Sequence, residues 1–293
     1  MRDVTPGIFI FDLCQTIGMA ICLTVTIPFA SFVYLKLLLV SPFAENYTFK
    51  LIVVNGIMGL LSAVTFLLFI QLTTYPFMFG FYTFIQNKGL VTIVAVINTF
   101  FGDISLYSSL FVALNRLKAM LFLRLKGNDS VFFTISMICS FLLSLPATID
   151  LCTFTSLKYL PYHIDNTTSI MMPDSKITNE SLRIISNAIS FVISLSTLVV
   201  NIVLVVLLTK ERNFLDKTQN SNAETGLIIT SVVSYVFYML FFVNNILARS
   251  FDVSFSAAAQ CLFLAFSSIT PFWCLIVFVK SIRRMALNKT NRR

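Results

Sequence analysis

The chain has 293 residues, of which 57% are hydrophobic and 12% are charged, and its mean hydropathy is +0.87. Soluble domains are about one quarter charged, so this composition excludes an ordinary soluble enzyme and indicates a polytopic membrane protein. The net charge of +8 does not indicate a nucleic-acid partner, because the basic residues lie at the ends of apolar segments, as they do in membrane proteins.

Seven apolar segments follow one another along the chain, each long enough to cross a bilayer as a helix. They cover residues 15–40, 49–72, 89–117, 130–154, 182–208, 226–247 and 254–279. The aromatic stretch 73–87 contains Pro76 and is predicted to be an interfacial loop rather than an eighth crossing. The predicted fold is therefore all-α: one domain over residues 1–293, built as a bundle of seven transmembrane helices.

The distribution of lysine and arginine predicts the orientation of this bundle. With the N-terminus outside, fifteen basic residues fall on the inner side and six on the outer side, in agreement with the positive-inside rule. Residues 1–14 are then extracellular, and residues 280–293 form a basic cytoplasmic tail. Asn166 and Asn179 begin glycosylation sequons in the predicted outer loop. Sequons also begin at Asn46, Asn128 and Asn288 on the predicted inner side, so this pattern adds little.

Residues 90–120, which include most of the third apolar segment, are predicted to form the central helix of the bundle. At about 100° per residue, one side of this helix carries a stripe of small and polar residues. The stripe consists of Asn98, Gly102, Ser105, Ser109 and Arg116. Asp103 lies about 140° around the helix from Arg116. A lipid-facing helix does not tolerate polar groups on two sides, so we expect other helices to surround this one.

Asp103 lies near the middle of that helix, where a carboxylate is costly unless it is paired, protonated or hydrated. Two interpretations stay open: a ligand-pocket or switch residue, and a neutral, hydrogen-bonded packing group. The polar residues considered as its partners are Asn201, Tyr235, Ser267 and Ser268.

Arg116 follows Asn115 at the end of the same helix, about 20 Å from Asp103 along a continuous helix. One interpretation is an anchor to lipid headgroups. The other is an ion pair with Glu224 at the base of the sixth helix, released on activation. Glu224 also has a structural interpretation, because residues 221–224 form a capping box that opens the sixth helix.

Residue types that carry out catalysis are scarce in this chain. Its single histidine, His163, falls in the long predicted outer loop, so neither a zinc site nor a Ser–His dyad within the membrane is expected. We predict no enzymatic activity, no metal and no cofactor. The six cysteines match no metal-site spacing and are interpreted mainly as small buried hydrophobes. Cys14, Cys152 and Cys261 lie toward the predicted outer side, where one pair could form a disulfide.

The chain resembles a G-protein-coupled receptor in four features. These are seven predicted crossings, an outer N-terminus, short inner loops and Asn115-Arg116 at the end of the third helix. Several positions depart from the rhodopsin-like pattern. Asn115 replaces an acid, Leu117 replaces a tyrosine, and the sixth segment has no proline. Thr270-Pro271-Phe272-Trp273 stands in place of Asn-Pro-x-x-Tyr. The third helix has no cysteine at its outer end, so the usual disulfide to the second outer loop cannot form.

The sequence that departs from the rhodopsin-like pattern is similar to that of the nematode serpentine chemoreceptors. The run Asn46-Tyr-Thr-Phe-Lys-Leu51 is similar to their Asn-Ser-Phe-Tyr-x-Leu before the second helix, and Leu114-Asn-Arg-Leu117 is similar to the end of their third helix. The end of the last segment is similar to the exit of their seventh helix: Pro271-Phe-Trp is followed by an apolar run and then by Ser281-Ile-Arg283. The resemblance spans the whole chain as a pattern of short motifs. It points to the gamma-class (srg) superfamily or its class v or class u relatives.

The resemblance implies a chemosensory receptor of the plasma membrane, in the sensory cilium of chemosensory neurons. Such a receptor binds an odorant or pheromone-like small molecule and signals through a heterotrimeric G protein. Ligand-binding candidates, chosen for polarity and depth, are Asp103, Asn98, Tyr107, Tyr235, Tyr238, Asn244 and Gln260. Signalling candidates are Asn115, Arg116, Glu224 and Pro271. G-protein contacts are expected from residues 116–126, residues 210–217 and the basic tail.

A small-solute transporter or channel is the alternative function. Transporters often contain internal repeats with paired broken helices, whereas seven segments do not divide evenly and no repeat is evident. A structural or trafficking role is the third interpretation. Solute flux in reconstituted vesicles would favour a transporter, and ligand-dependent activation of a G protein would favour a receptor.

Overall fold

The computed structural model describes residues 6–40, 45–68, 72–121, 129–163, 169–177 and 180–212. Within the last two apolar segments it describes residues 229, 232–233, 235–236, 239–240, 266, 269–270, 272–277, 279 and 282–283. Seven of the predicted site residues therefore lie outside the described residues: Asn166, Asn179, Glu224, Tyr238, Asn244, Gln260 and Pro271.

Helices make up most of the described chain, with one β-hairpin between the fifth and sixth of them. The helices are α1 (Pro6–Leu39), α2 (Tyr47–Phe66), α3 (Phe79–Asn87), α4 (Val91–Leu121), α5 (Asp129–Ile149) and α6 (Glu180–Arg212). Two 3-10 turns, Leu72–Thr74 and Pro76–Met78, precede α3, and a π-helical turn, Asp150–Phe154, extends α5. The strands are β1 (Thr155–His163) and β2 (Ser169–Ile177), paired antiparallel.

Five helical stretches in the described part of the chain are long and apolar enough to cross a bilayer. They are Thr16–Leu39, Tyr47–Phe66, Val91–Leu121, Asp129–Thr153 and Ile184–Leu207. These spans coincide with the first five predicted apolar segments. Ile21, Leu35 and Val206 expose more than half of their side chains on the outside of the bundle, an arrangement that suits lipid chains rather than water. The protein is thus a helical, multi-pass membrane protein.

The stretch predicted as an interfacial loop is helical rather than irregular. It contains the two 3-10 turns and α3, whose 9 residues rise only about 14 Å, too short for a crossing. Tyr75 ties the stretch to α1, because its hydroxyl donates to Thr16 Oγ1 at 2.9 Å. The prediction of a loop was therefore wrong as to local structure, and the helix of this stretch is too short to cross a bilayer.

Side-chain contacts show that α2 and α4 run antiparallel. Thr65, near the end of α2, donates to Asn98, near the start of α4, at 2.8 Å. Thr48, at the start of α2, accepts from Asn115, near the end of α4, at 2.6 Å. We call the end of the bundle that carries the β-hairpin the hairpin end, and the opposite end, where α4 finishes, the Arg116 end.

The β-hairpin packs on α3 and on the start of α4. The backbone N–H of Tyr159 in β1 donates to Gln86 Oε1 at 2.8 Å, and its ring lies 5.1 Å from the ring of Tyr82. Burial raises the pKa of Tyr159 to about 12 and raises the pKa of Tyr82 further, with the nearby Tyr159 as a second cause. Both phenols are therefore neutral at physiological pH, and the Tyr82 hydroxyl donates to the Leu68 carbonyl.

The largest hydrophobic cluster joins α1, α2 and the last apolar segment. Phe272 is fully buried, and its ring meets those of Phe29 and Tyr34 edge-on at 5.5 and 5.7 Å. Trp273 donates from Nε1 to Thr26 Oγ1 at 3.1 Å. The described residues of the last segment are mainly helical and pack against α1 and α2.

Candidate functional site

The polar stripe of α4 faces α2 along most of its length. A Cβ atom at Gly102 would lie 3.3 Å from Ser62 Oγ, so small residues let the two helices approach closely here. The side-chain pairs along this contact are Thr65 with Asn98 at 2.8 Å, Asn55 with Ser105 at 3.2 Å and Thr48 with Asn115 at 2.6 Å. Asn98, predicted as a ligand-binding residue, therefore bonds to α2.

Asp103 and Tyr107 belong to a different side of α4. Tyr107 is fully buried, and its hydroxyl lies 3.3 Å from Ser190 Oγ of α6, with either oxygen able to donate. Asp103 precedes Tyr107 by one helical turn, so the two residues are neighbours on this side of the helix. Helix α4 packs against α2, α5 and α6. Its predicted central position is confirmed, with polar groups on two sides and a helix against each.

One carboxylate oxygen of Asp103, Oδ2, is buried and has no hydrogen-bond partner among the described residues. The sequence-based hypothesis offered Asn201 and Tyr235 as partners, but the amide of Asn201 and the hydroxyl of Tyr235 are themselves buried and unpaired among the described residues. That pairing is therefore wrong for these two residues; Ser267 and Ser268 lie outside the described residues. Because an unpaired buried carboxylate oxygen is costly, Asp103 is the strongest candidate for contact with a bound molecule.

Tyr235 lies at a different depth from Asp103. Its neighbour one turn earlier, Val232, packs with Ala113 of α4 and Leu204 of α6. Ala113 follows Asp103 by ten residues, which corresponds to about 15 Å of helix rise. The predicted ligand-binding residues that are described thus occupy three places: Asn98 against α2, Asp103 with Tyr107 toward α6, and Tyr235 beside Asn201.

Two residues with a buried polar atom that lacks a partner among the described residues were not predicted from the sequence. Asp150, in the π-helical turn after α5, is 6% exposed, and its Oδ1 has no partner within the described residues. Ser194 of α6, one turn after Ser190, is 1% exposed, and its Oγ has no partner in the described part of the chain. An acid that closes an apolar segment shortly after Pro146 is the signal that would have found Asp150. Ser194 has no such signal, because serine is common in membrane helices.

At the Arg116 end, two of the motifs that carry the family resemblance touch each other. Asn46 caps α2 by accepting the backbone N–H of Thr48 at 2.9 Å, and Thr48 Oγ1 accepts from Asn115 at 2.6 Å. Arg116 is 5% exposed, so its side chain lies inside the protein instead of reaching the surface. The interpretation of Arg116 as a headgroup anchor is therefore wrong. Its proposed partner Glu224 lies outside the described residues.

We expect Asn115→Ala to destabilise the protein by about 1 kcal/mol, because it removes the hydrogen bond to Thr48. Thermal unfolding of purified protein in detergent measures this loss. In a double-mutant cycle, Thr48→Val alone should cost a similar amount, and the double variant should cost little more than either. Fully additive losses would show that the bond contributes no coupling.

Cys22, Cys139, Cys152 and Cys274 are free thiols. Of the three cysteines considered for a disulfide, Cys152 is thus unbridged, and the side chains of Cys14 and Cys261 lie outside the described part. No cluster of three or more potential metal ligands occurs among the described residues. His163 ends strand β1.

No protein-family model and no curated protein matches this chain. The fold and the buried polar groups define its class: a helical, multi-pass membrane protein whose central helix carries polar groups on two sides.

Proposed function

We propose that this protein is a seven-helix chemosensory receptor of the plasma membrane that binds a small molecule and signals through a heterotrimeric G protein. In this proposal the chain is a single receptor domain without enzymatic activity, the hairpin end faces outward, and the Arg116 end and residues 280–293 face the cytoplasm. The excess of basic residues on that side supports the orientation. The resemblance to nematode receptors supports the sensory cilium as its location.

The observation that carries the proposal is the placement of Asp103 and Arg116 on one continuous helix. Asp103, near the middle of α4, offers an oxygen with no partner in the described part of the chain, and Arg116 is buried about 20 Å away near the end of the same helix. A ligand that supplies the missing hydrogen bond in one arrangement of the helices shifts the population toward that arrangement. Because α4 contacts α2, α5 and α6, such a shift would change the packing around Arg116.

Contacts among the family-like motifs support the same proposal. Asn46 and Thr48, in the motif before α2, meet Asn115 of the motif that ends α4. Phe272 and Trp273 of the third motif pack against α1. Short motifs that are far apart in sequence thus hold specific positions in the bundle, as expected if they belong to one functional pattern.

The test uses the full-length protein in lipid nanodiscs with a purified heterotrimeric G protein. Nucleotide exchange is measured without ligand and with a panel of odorants. We expect Arg116→Ala to reduce exchange in both conditions. Asp103→Asn should preserve basal exchange and raise the half-maximal ligand concentration at least about tenfold, as expected for a lost hydrogen bond to a charged group. Asp103→Glu should recover part of the response.

Two results would contradict this proposal. One is flux of a small solute across reconstituted vesicles without any G-protein exchange, which would support the transporter or channel. The other is a ligand response that both Asp103→Asn and Arg116→Ala leave unchanged.

A further inference from the structure

Helix α3 and the 3-10 turn before it carry exposed phenylalanines. Phe81 and Phe84 of α3 are 46% and 56% exposed, and Phe77 of the turn is 76% exposed. At about 100° per residue, Phe81, Phe84 and Lys88 lie within roughly 60° of one another on the helix. Lys88 Nζ lies 5.9 Å from the centre of the Phe84 ring. Several large rings on one exposed side indicate a surface that contacts something apolar.

Three features place α3 at the boundary of the membrane. The hydroxyl of Tyr75 donates at 2.9 Å to Thr16 Oγ1, at the start of the α1 span. The hydroxyl of Tyr82 in α3 donates to the carbonyl of Leu68, two residues after the end of the α2 span. The α4 span begins at Val91, four residues after the end of α3. Helix α3 therefore lies at the level where three crossings begin or end.

The end of α3 fixes its direction relative to α4. Gly89 has a left-handed φ of 67°, and its N–H donates to the carbonyl of Gln86 at 3.1 Å. The N–H of Leu90 donates to the carbonyl of Ile85 at 3.0 Å. This pair of bonds is a Schellman motif, which ends the helix and turns the chain. Because the buried side of α3, with Tyr82 and Ile85, packs against the hairpin, its phenylalanine side faces away from the protein.

We propose that α3 lies in the plane of the membrane surface and that Phe77, Phe81 and Phe84 insert into the leaflet at the hairpin end. Lipid is close to this helix, because Ile93, in the first turn of the α4 span, is 54% exposed. Residues 72–90 include no acidic residue, and Lys88 beside the Phe84 ring suits a lipid phosphate above the inserted rings. The occupant is thus a phospholipid, with its chains against the rings and its phosphate near the lysine. The proposal does not depend on the proposed receptor function.

This insertion would also hold the hairpin at a fixed height above the bundle. One side of α3 contacts lipid and the other side contacts both strands of the hairpin. The backbone N–H of Tyr159 donates to Gln86 Oε1 at 2.8 Å, so the hairpin is bonded directly to the inserted helix.

The test measures tryptophan fluorescence of the full-length protein in nanodiscs. The single tryptophan of the chain is first removed by Trp273→Phe. We then expect Phe84→Trp to be quenched by phosphatidylcholine brominated on its acyl chains about as strongly as Ile93→Trp in the α4 span. Lys158→Trp is the control, because Lys158 is exposed on β1 and its neighbour Tyr159 faces α3. Successive strand residues point to opposite sides, so acrylamide in the water should quench this control and brominated lipid should not.

Two outcomes would overturn the proposal. One is quenching of Phe84→Trp and Phe81→Trp by acrylamide but not by brominated lipid, which would place the rings in water. The other is protection from both quenchers, which would indicate a contact with protein, such as a second copy of the chain.

Cysteine variants repeat the test without changing Trp273. Phe84→Cys and Lys158→Cys are treated with a membrane-impermeant maleimide, and the reaction of the unmodified protein is subtracted. We expect Phe84→Cys to react at least about tenfold more slowly, because a thiol in apolar surroundings stays protonated. Equal rates for the two variants would contradict insertion of this side of α3.

Discussion

Asp103→Leu is expected to stabilise the ligand-free protein and to remove its ligand response. The buried Oδ2 of Asp103 has no partner within the described residues. The substitution puts an apolar side chain of similar size in place of this carboxylate. An aspartate at the centre of a membrane helix costs about 2.5–3.5 kcal/mol, which is the upper limit of the expected gain. Thermal unfolding in detergent measures stability, and G-protein nucleotide exchange measures the response. A gain in stability with a loss of response is typical of a residue kept for function.

Asp129→Asn is the matched control for this experiment. Asp129 is 59% exposed and pairs with Lys118 at 2.7 Å, so its replacement should change stability by less than about 1 kcal/mol. If Asp103→Leu instead destabilises the protein by more than this control, Asp103 is a packing residue with an essential hydrogen bond. The ligand site must then be sought elsewhere in the bundle.

Gly56→Ala is expected to destabilise the protein by about 1–3 kcal/mol, the usual cost of overpacking. A Cβ atom at Gly56 of α2 would overlap the hydroxyl and ring of Tyr34 in α1. Tyr34 is 2% exposed and its ring also packs on Phe272, so it has little room to move. The contact therefore transmits the strain to α1 and to the last apolar segment. Thermal unfolding and the yield of monodisperse protein measure the effect.

Two further variants test whether the overlap with Tyr34 is the cause. Gly18→Ala in α1 is the control, because a Cβ atom at Gly18 meets nothing within 4 Å; it should be neutral or slightly stabilising. In the double variant Gly56→Ala/Tyr34→Leu, the smaller side chain should make the Gly56→Ala substitution much less costly than it is alone. An equal cost in both backgrounds would place the strain elsewhere.

Local patterns in the sequence were sufficient for much of the architecture. Runs of about 20 apolar residues predicted the five described spans, because the thickness of the bilayer sets the length of a helix that crosses it. Helical periodicity also placed Asn98 and Ser105 on one side of α4 and Asp103 on another. The structure confirms this separation. Asn98 and Ser105 bond to α2, whereas Tyr107, one turn after Asp103, contacts α6.

The hairpin was not predictable in the same way. Its strands do not alternate between apolar and polar residues, and each contains a proline, Pro161 in β1 and Pro173 in β2. Both prolines are compatible with strands here, because each strand of a two-stranded sheet has an unpaired edge. The pairing depends on contacts with α3, such as the bond from Tyr159 to Gln86, which no local pattern contains.

The sequence by itself thus determined that the chain crosses the membrane several times and that α4 lies at the centre, because apolar length and helical phase are local properties. Only the tertiary structure decided which polar groups meet. It paired Asn98 with Thr65, left Asp103 Oδ2 without a partner among the described residues, and placed Tyr235 beside Asn201 at a different depth in the bundle. These outcomes depend on the relative height and rotation of neighbouring helices, which the packing of many side chains sets together.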